Sequence, residues 1–367
     1  MPVQNYEILN PNTDVTTTKT LLHEAIPVTG TILSATYGTF PNEGNIKNYT
    51  HGMFQSVYDY PYLSSSANHI FDITMGYDEG SALSASSGYT MQKKKINIYN
   101  QFAQVLLGYT GSTNTVEIFE SDLDYGDNDR QMKEVFFLNF SRLLSKDQIK
   151  PGTFSISFGT GSWASPFSGG GTGAGYKTLQ DISASVTKGT KSTPGGEYGV
   201  LYSGSNADSR CGLIFYEAGI AVISGNVFNG PAFGTTPSAS ADFNHYNNGG
   251  WITQTWPQSM VTASISGNCD AIRHRLYSIS YNNTTEINST IYFCRVPHNK
   301  YNYSSNPTYT TNSKINVKNV ASDQPRAYIT TVGLYNSANE LMAVAKLSEP
   351  LLKDPTNEIT LRVRLDY

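Results

Sequence analysis

Two cysteine–histidine pairs have the residue types and the spacing that come closest to a metal site. Cys269 and His274 are separated by four residues, and Cys294 and His298 by three. Thiolate and imidazole groups are the ligands that zinc prefers, and four of them complete a tetrahedral site. However, Cys294 falls within the apolar segment Ile291–Val296, which is typical of a strand whose alternate side chains are buried. We therefore favour a structural role for both pairs and predict no metal and no other cofactor.

A cluster of acidic residues offers a second kind of metal site. Carboxylate oxygens suit hard cations such as Ca²⁺, which needs several of them. The central glycine and the closing glutamate of a calcium-binding EF-hand loop are missing from this segment, so we interpret it as a solvated acidic loop. Its members are Glu117, Glu120, Asp122, Asp124, Asp127 and Asp129.

The chain lacks the motifs of common enzyme classes. It contains no Gly-x-Ser-x-Gly segment, which would place a nucleophilic serine on a sharp turn. The glycine-rich segment Gly169–Gly175 is not a phosphate-binding loop, because Tyr176 stands between it and Lys177. It matches a dinucleotide-binding fingerprint only loosely, since no helix pattern follows it. We therefore predict that the protein is not an enzyme, and we keep cleavage of an envelope polysaccharide as the enzymatic alternative.

Aromatic side chains beside amides are the remaining candidates for a binding site. Tryptophan and tyrosine are common anchors of protein interfaces, so we favour burial in the core or against a neighbouring subunit. Stacking on sugar rings at a host surface is the alternative. Trp251 and Trp256 are accordingly candidate interface residues. The aromatic residues of this segment are Phe243, His245, Tyr246, Trp251 and Trp256.

The composition favours surfaces that other proteins cover. Of the 367 residues, 38% are apolar and only 15% are charged, whereas typical soluble domains carry about 25% charged residues. The chain has 25 tyrosines, and tyrosine fits the half-buried face of a β-sheet. Protein interfaces are likewise enriched in tyrosine and depleted of lysine and glutamate. We therefore expect a β-rich protein whose surface contacts neighbouring chains.

Charge and hydropathy argue against nucleic-acid and membrane partners. The net charge is −4, so no basic excess exists to neutralise phosphates. The one basic run, Lys93–Lys95, we interpret as the solvated start of a helix. The first residues lack the basic and apolar regions of a signal peptide, and no apolar stretch reaches the roughly 18 residues that span a bilayer. We expect the chain to fold in a reducing cytoplasm.

Two segments in the N-terminal half have the periodicity of amphipathic helices. The first is Ile96–Leu107, followed by Gly108 as a cap. The second runs from Asp129 to Ser145, with acidic residues at its start. A buried strand over Val135–Phe140 is the open alternative for the second segment. The residues on the apolar face of the first helix are Ile98, Phe102, Val105 and Leu106.

From Tyr198 onward the pattern is almost entirely that of strands. Ala327–Tyr335 and Leu341–Leu347 flank a short polar turn and predict a hairpin. The final segment, Ile359–Leu365, alternates with a period of two, so Thr360, Arg362 and Arg364 should face water or a partner. The other predicted strands are Gly199–Tyr202, Leu213–Tyr216, Ile220–Ser224, Ile272–Ile279, Ile291–Val296 and Ile315–Val320.

These patterns predict a mainly β (α+β) fold. We expect antiparallel, sandwich-like sheets in the C-terminal half and two amphipathic helices in the N-terminal half. The predicted regions are an N-terminal α+β region over residues 1–158, a Gly/Ser/Thr-rich loop or arm over 159–197, and a β-rich domain over 198–367.

The C-terminal segment Ala327–Tyr367 resembles a module of tailed-phage tail, baseplate and fibre-attachment proteins. That module pairs an I-T-x-V-G-L-Y strand with an L-x-A-V-A-K-L strand, as AYITTVGLY and LMAVAKL do in this chain. Further segments are similar to virion structural proteins of contractile-tailed marine bacteriophages, cyanobacterial ones among them. These segments are Lys93–Tyr109, Glu134–Phe154 and Ile287–Tyr309.

The resemblance implies a structural subunit of a phage virion, assembled in the host cytoplasm with other virion proteins and further copies of itself. It brings no catalytic residues. The tail, baseplate or fibre-attachment region is the expected location. A tail protein that binds a host-surface glycan is the first alternative, and a head or neck accessory protein is the second. The interface candidates are Thr360, Arg362, Arg364, Trp251 and Trp256.

Overall fold

The fold is mainly β and antiparallel, as predicted. The chain divides into two compact units. We call Leu22–Thr285 the core unit, and Met1–Leu21 with Glu286–Tyr367 the terminal unit. The computed structural model describes residues 6–28, 43–84, 90–110, 115–120, 131–167, 175–182, 191–203, 210–228, 243, 245–247, 250–252, 254–304, 310–311, 314–315, 322 and 324–367.

The strands and helices of the described residues are numbered in chain order. The strands are β1 Val15–Val28, β2 Ile46–Asn48, β3 Gln55–Tyr58, β4 His69–Tyr77, β5 Glu134–Phe140, β6 Gln148–Ile149, β7 Ser155–Gly159, β8 Tyr176–Asp181, β9 Lys191–Thr193, β10 Gly196–Ser203, β11 Arg210–Phe215, β12 Ile220–Ser224, β13 His245–Asn247, β14 Gly250–Ile252, β15 Leu276–Val296, β16 Thr310–Thr311, β17 Lys314–Ile315, β18 Ala327–Tyr335, β19 Leu341–Lys353 and β20 Ile359–Asp366. The helices are α1 Thr90–Leu106, α2 Arg142–Ser145, α3 Trp256–Thr262 and α4 Ile265–Arg275.

The core unit is built on one antiparallel sheet. From the first part of β15, its strand order is β7, β8, β10, β11, β12, β5, β4, β3 and β2. Helices α1 and α4 both pack on β4. The predicted strands Leu213–Tyr216 and Ile220–Ser224 are confirmed as β11 and β12, and they form a hairpin in which Phe215 pairs with Ile220.

The helix predicted from Asp129 to Ser145 is wrong. Residues 134–140 form β5, which lies between β4 and β12 in the middle of the sheet. Four consecutive residues, Val135 to Leu138, have no exposed surface. A strand covered on both faces reads as a continuous apolar run, and such a run also satisfies helical spacing over a short window. Only α2 at the end of the segment is helical.

The first predicted helix is confirmed as α1, and Ile98 and Leu106 of its predicted apolar face are buried. Val105 of the same predicted face is 68% exposed. Lys95 and Tyr99 are buried in addition to the predicted residues. The prediction that Lys95 lies in water is wrong, because its ammonium donates to carbonyl oxygens at the end of α3.

The strands before and after residues 159–197 belong to one sheet, so this segment does not separate two sheets. Strand β8, which lies within the segment, stands between β7 and β10. The glycine-rich stretch joins β7 to β8, and its residues 168–174 lie outside the described part. Strands β10 to β12 continue the sheet of β4 and β5 instead of forming a sheet of their own. The segment Ile272–Ile279, predicted as a strand, contains the end of α4 and the start of β15.

The terminal unit has strand pairings of its own, including a short one between β16 and β17. The second part of β15 pairs with β20, from Ser289 opposite Asp366 to Val296 opposite Ile359. Strands β18 and β19 form a separate two-stranded sheet, which confirms the predicted C-terminal hairpin. Among the described residues no helix is long and apolar enough to cross a membrane.

Candidate protein interface

The most exposed apolar surface of the terminal unit is the hairpin of β18 and β19, which we call the ribbon. The two strands pair from Ala327 opposite Lys353 to Tyr335 opposite Leu341. Only the residues at its base, Ala327 and Lys353, are buried. Within the described part of the chain, no third strand joins this sheet.

The apolar side chains of the ribbon lie open along its length. Tyr328 is 63% exposed, Met342 68% and Val344 52%. Cross-strand pairs on one face are mostly apolar, since Val332 stands opposite Ala345 and Leu334 opposite Ala343. A lone two-stranded sheet is marginally stable in water, and native ones gain stability when a third layer covers them. The ribbon therefore has the surface that a neighbouring chain would cover.

Polar contacts fix the base and the tip of the ribbon. At the base, the Lys353 ammonium donates to the His298 carbonyl oxygen at 3.2 Å and to Asn302 Oδ1 at 2.7 Å. At the tip, Asn336 Oδ1 accepts hydrogen bonds from the backbone N–H groups of Ala338 and Glu340, each at 2.9 Å. A surface whose shape is fixed before binding loses less entropy when it binds.

The predicted outward face of the last strand is confirmed. On β20, Thr360, Arg362 and Arg364 are exposed, whereas Leu361 and Val363 between them are buried. The Arg364 guanidinium donates to Asp366 at 2.6 Å and to Ser289 Oγ at 3.0 Å. Among the described residues the Arg362 guanidinium has no hydrogen bond. Of the described strands β20 pairs with β15 alone, so this face ends at a sheet edge that another chain can reach.

The second edge of the large sheet is also open. Strand β1 is 14 residues long, and within the described ranges it pairs only with β15. Nearly all of its residues are exposed, including Leu21 and Leu22 at 47% and 51%. A long exposed edge strand offers unpaired N–H and C=O groups to a strand of another chain.

Trp256 does not belong to a surface, which corrects its prediction as an interface residue. It begins α3 and is only 5% exposed. Its ring fills the space beside Gly225, where an added Cβ would come within 2.6 Å of it. The indole N–H has no hydrogen-bond partner among the described residues, so packing of the ring must offset the cost of burying an unpaired donor. Trp251 lies in β14, and its side chain is outside the described part.

The two cysteine–histidine pairs have structural contacts. The Cys269 thiol donates to the Ile73 carbonyl oxygen, and His274 Nε2 lies 2.7 Å from the Trp163 carbonyl oxygen. Burial lowers the pKa of His274. Cys294 is partly buried in β15. Across the described ranges, no three potential metal ligands come together. Of the acidic cluster, Asp122, Asp124, Asp127 and Asp129 lie outside those ranges.

In the core unit one aspartate contacts both a serine and a histidine. The sequence of these contacts differs from that of a catalytic triad, so the serine is not activated as a nucleophile. Ser56 Oγ donates to Asp72 Oδ1 at 2.5 Å, and His69 Nε2 lies 2.8 Å from the same oxygen. In a catalytic triad the histidine stands between the other two and removes the proton of the serine. In this chain the aspartate stands between them, so the arrangement fixes the Asp72 carboxylate.

Sequence reasoning missed a network of buried ions in the core unit. The Arg273 guanidinium donates to Glu43, Gln55 and Asp270, each at 3.0 Å. Burial raises the pKa of Asp270, against the effect of the neighbouring Arg273. Glu43 and Gln55 lie far from Arg273 in the sequence, so the local spacing of Asp270 and Arg273 does not reveal the network. Its side chains are enclosed, which suits a structural role better than binding.

No protein family, curated protein or solved structure that was compared with this chain matches it.

Proposed function

We propose that the chain is a structural subunit of a tailed-phage virion and that it acts through protein–protein interfaces. The ribbon is the observation that supports this most strongly, because its strands have a fixed arrangement and apolar side chains such as Tyr328, Met342 and Val344 are more than half exposed. The resemblance of Ala327–Tyr367 to tail, baseplate and fibre-attachment modules covers the same strands. Further copies of the chain and other virion proteins are the proposed partners.

The energetics favour covering the ribbon. Burying apolar surface is worth about 25 cal/mol per Å², and a partner that covers one side chain such as Tyr328 gains roughly 1–3 kcal/mol. Exposed apolar residues form cross-strand pairs at both ends of the ribbon, Tyr328 opposite Leu352 near the base and Tyr335 opposite Leu341 near the tip, so a partner surface at either end can cover more than one of them. Isolated surface apolar residues are normal in soluble proteins, whereas contiguous patches mark interaction sites.

Sedimentation of the full chain over a range of concentrations tests this surface. We expect concentration-dependent self-association that Tyr328→Lys and Met342→Lys weaken at least tenfold, because a buried unpaired charge is unfavourable in an interface. Leu143→Lys is the matched control, since Leu143 is 71% exposed and belongs to the core unit, not to the ribbon.

Mass spectrometry of purified particles supplies the second arm. The chain should be a stoichiometric component of particles of the virus that encodes it. A chain that stays a monodisperse monomer at every concentration and is absent from particles contradicts the proposal.

A further inference from the structure

The core unit contains a cleft of about 330 Å³ between α1 and the face formed by β4 and β5. Small-molecule sites usually have volumes of about 300–1,000 Å³, so the cleft can hold one compact ligand. Its walls combine aromatic rings with polar side chains. The lining residues that bear on binding are His51, Phe54, Asp72, Gln101, Phe102 and Asn139.

The sheet and the helix place these groups side by side. Asp72 on β4 stands directly opposite Asn139 on β5, so both side chains lie on the same face of the sheet. Helix α1 contributes Ile98, Gln101 and Phe102, which share one helical face because they are three and four residues apart. The carboxylate and the two amides therefore converge on the cleft.

The polar groups of the cleft keep hydrogen-bonding capacity for a ligand, and contacts within the chain hold Asp72 in place. Asp72 Oδ1 is occupied by Ser56 and His69, whereas Oδ2 has no hydrogen-bond partner among the described residues. Within the same ranges, the side-chain amides of Asn139 and Gln101 have none either. Together they offer an oriented acceptor and two groups that can both donate and accept.

The aromatic walls are held in place by other rings. Phe102 stacks on Phe137 with ring centres 4.2 Å apart and an angle of 12°. Phe54 packs against Tyr49 at 4.7 Å and against His51 at 5.1 Å. These contacts fix apolar surfaces beside the polar groups before any ligand arrives, which lowers the entropy lost on binding.

The charge balance favours a neutral ligand. Asp72 is the one carboxylate among the described residues that line the cleft, and His69 already contacts it. The Lys94 ammonium lies near the cleft, 3.2 Å from the His51 carbonyl oxygen. A cationic ligand would meet the Lys94 ammonium beside the cleft, whereas an anionic ligand would meet the Asp72 carboxylate. A sugar ring offers hydroxyl groups to Asp72 and Asn139 and an apolar C–H face to the phenylalanine rings.

We propose that this cleft binds one pyranose residue of a neutral saccharide, with Asp72 and Asn139 holding its hydroxyl groups. The site lies within the core unit, so it does not depend on the assembly role of the ribbon. It is separate from Trp251 and Trp256, the aromatic residues that the sequence suggested for glycan binding.

A glycan array of neutral saccharides, screened with the purified full chain, is the first test, followed by titration of the best saccharide. Asp72→Asn keeps the shape of the side chain but removes the charged acceptor, and we expect it to weaken binding at least tenfold. Gln101→Ala should weaken binding several-fold. Gln104→Ala is the matched control, because Gln104 is an exposed amide of the same helix that does not line the cleft.

Three outcomes overturn the proposal. The first is that no neutral saccharide binds the folded chain at millimolar concentration. The second is that methylguanidinium binds the cleft and neutral saccharides do not, which would make it a site for a cationic side chain. The third is that Gln101→Ala and Gln104→Ala have equal effects. Lys substitutions on the ribbon should leave saccharide binding unchanged, so the failure of either proposal can be recognised separately.

Discussion

Replacement of Arg273 by methionine should strongly destabilise the core unit. The guanidinium is fully buried and makes three hydrogen bonds to Glu43, Gln55 and Asp270. Methionine keeps much of the side-chain volume but leaves two carboxylates without their cation. Removal of one partner from a buried ion pair costs about 3–5 kcal/mol.

The expected loss of unfolding free energy at about pH 7 is therefore roughly 4 kcal/mol. For a unit of this size the unfolding free energy falls by about 3 kcal/mol per molar urea, so the urea concentration at the unfolding midpoint should decrease by more than ~1 M. All three tryptophans of the chain, Trp163, Trp251 and Trp256, lie in the core unit, so tryptophan fluorescence reports its unfolding alone.

The loss should also depend on pH in a defined direction. Burial raises the pKa of Asp270 above its ordinary 3.8, and removal of Arg273 should raise that pKa further. The folded variant then takes up a proton at a pH where the unfolded chain does not, so its stability increases as the pH falls toward about 4. The difference between variant and wild type should narrow over that range.

Arg142→Met is the control, because Arg142 is exposed and donates one hydrogen bond to the Glu217 carbonyl oxygen. It should lower the unfolding free energy by less than about 1 kcal/mol. If Arg273→Met lowered the unfolding free energy by less than about 1 kcal/mol, or if its effect grew as the pH fell, Arg273 would not be the cation that stabilises Glu43 and Asp270.

The remaining predictions concern the contact of α1 with the rest of the core unit. The Lys95 ammonium donates to three carbonyl oxygens at the end of α3, at 2.6, 3.2 and 2.7 Å, so Lys95→Met should lower the unfolding free energy at about pH 7 by roughly 2–3 kcal/mol in urea titrations. Burial lowers the pKa of Lys95 to about 8 from its ordinary 10.5. Between these two pH values the unfolded chain therefore keeps a proton on Lys95 that the folded chain has lost. The wild type should therefore gain stability relative to Lys95→Met as the pH rises from about 8 to 10.5, and a loss over that range would contradict the assignment. Gly76→Ala should cost about 1–3 kcal/mol and lower the Tm, because the new Cβ would lie 2.7 Å from the Lys95 carbonyl oxygen and 2.8 Å from the Tyr99 nitrogen. An unchanged Tm would mean that α1 can shift away from β4.

Local patterns predicted the strands whose two faces differ. Ile359–Leu365 alternates between buried and exposed residues, and the structure shows the same alternation on β20. The C-terminal hairpin was equally legible, because a polar turn separates its two apolar strands. In both cases the period of the side chains and the turn chemistry indicate the same structure.

Long-range contacts were not readable from local patterns. The run around Val135 has the pattern of a helix because its burial depends on residues outside the run: Phe102 of α1 stacks on Phe137 at one face, and Phe228 and Phe243 pack against Phe136 at the other. The polar residues next to Trp256 in the sequence favour a surface position. Its packing against Gly225 depends on a contact that is distant in the sequence. Asp72 and Asn139 become a site only through the register of β4 and β5. A single sequence contains no direct signal for such pairings.

According to the proposed function, neighbouring chains cover the ribbon in an assembled particle. Amide hydrogen exchange of residues 327–353, compared between the dilute free chain and purified particles, measures that cover directly. We expect fast exchange in the free chain and strong protection in the particle, with little change at the exposed loop around Leu63 in the core unit. Equal exchange of the ribbon in both states would contradict the claim.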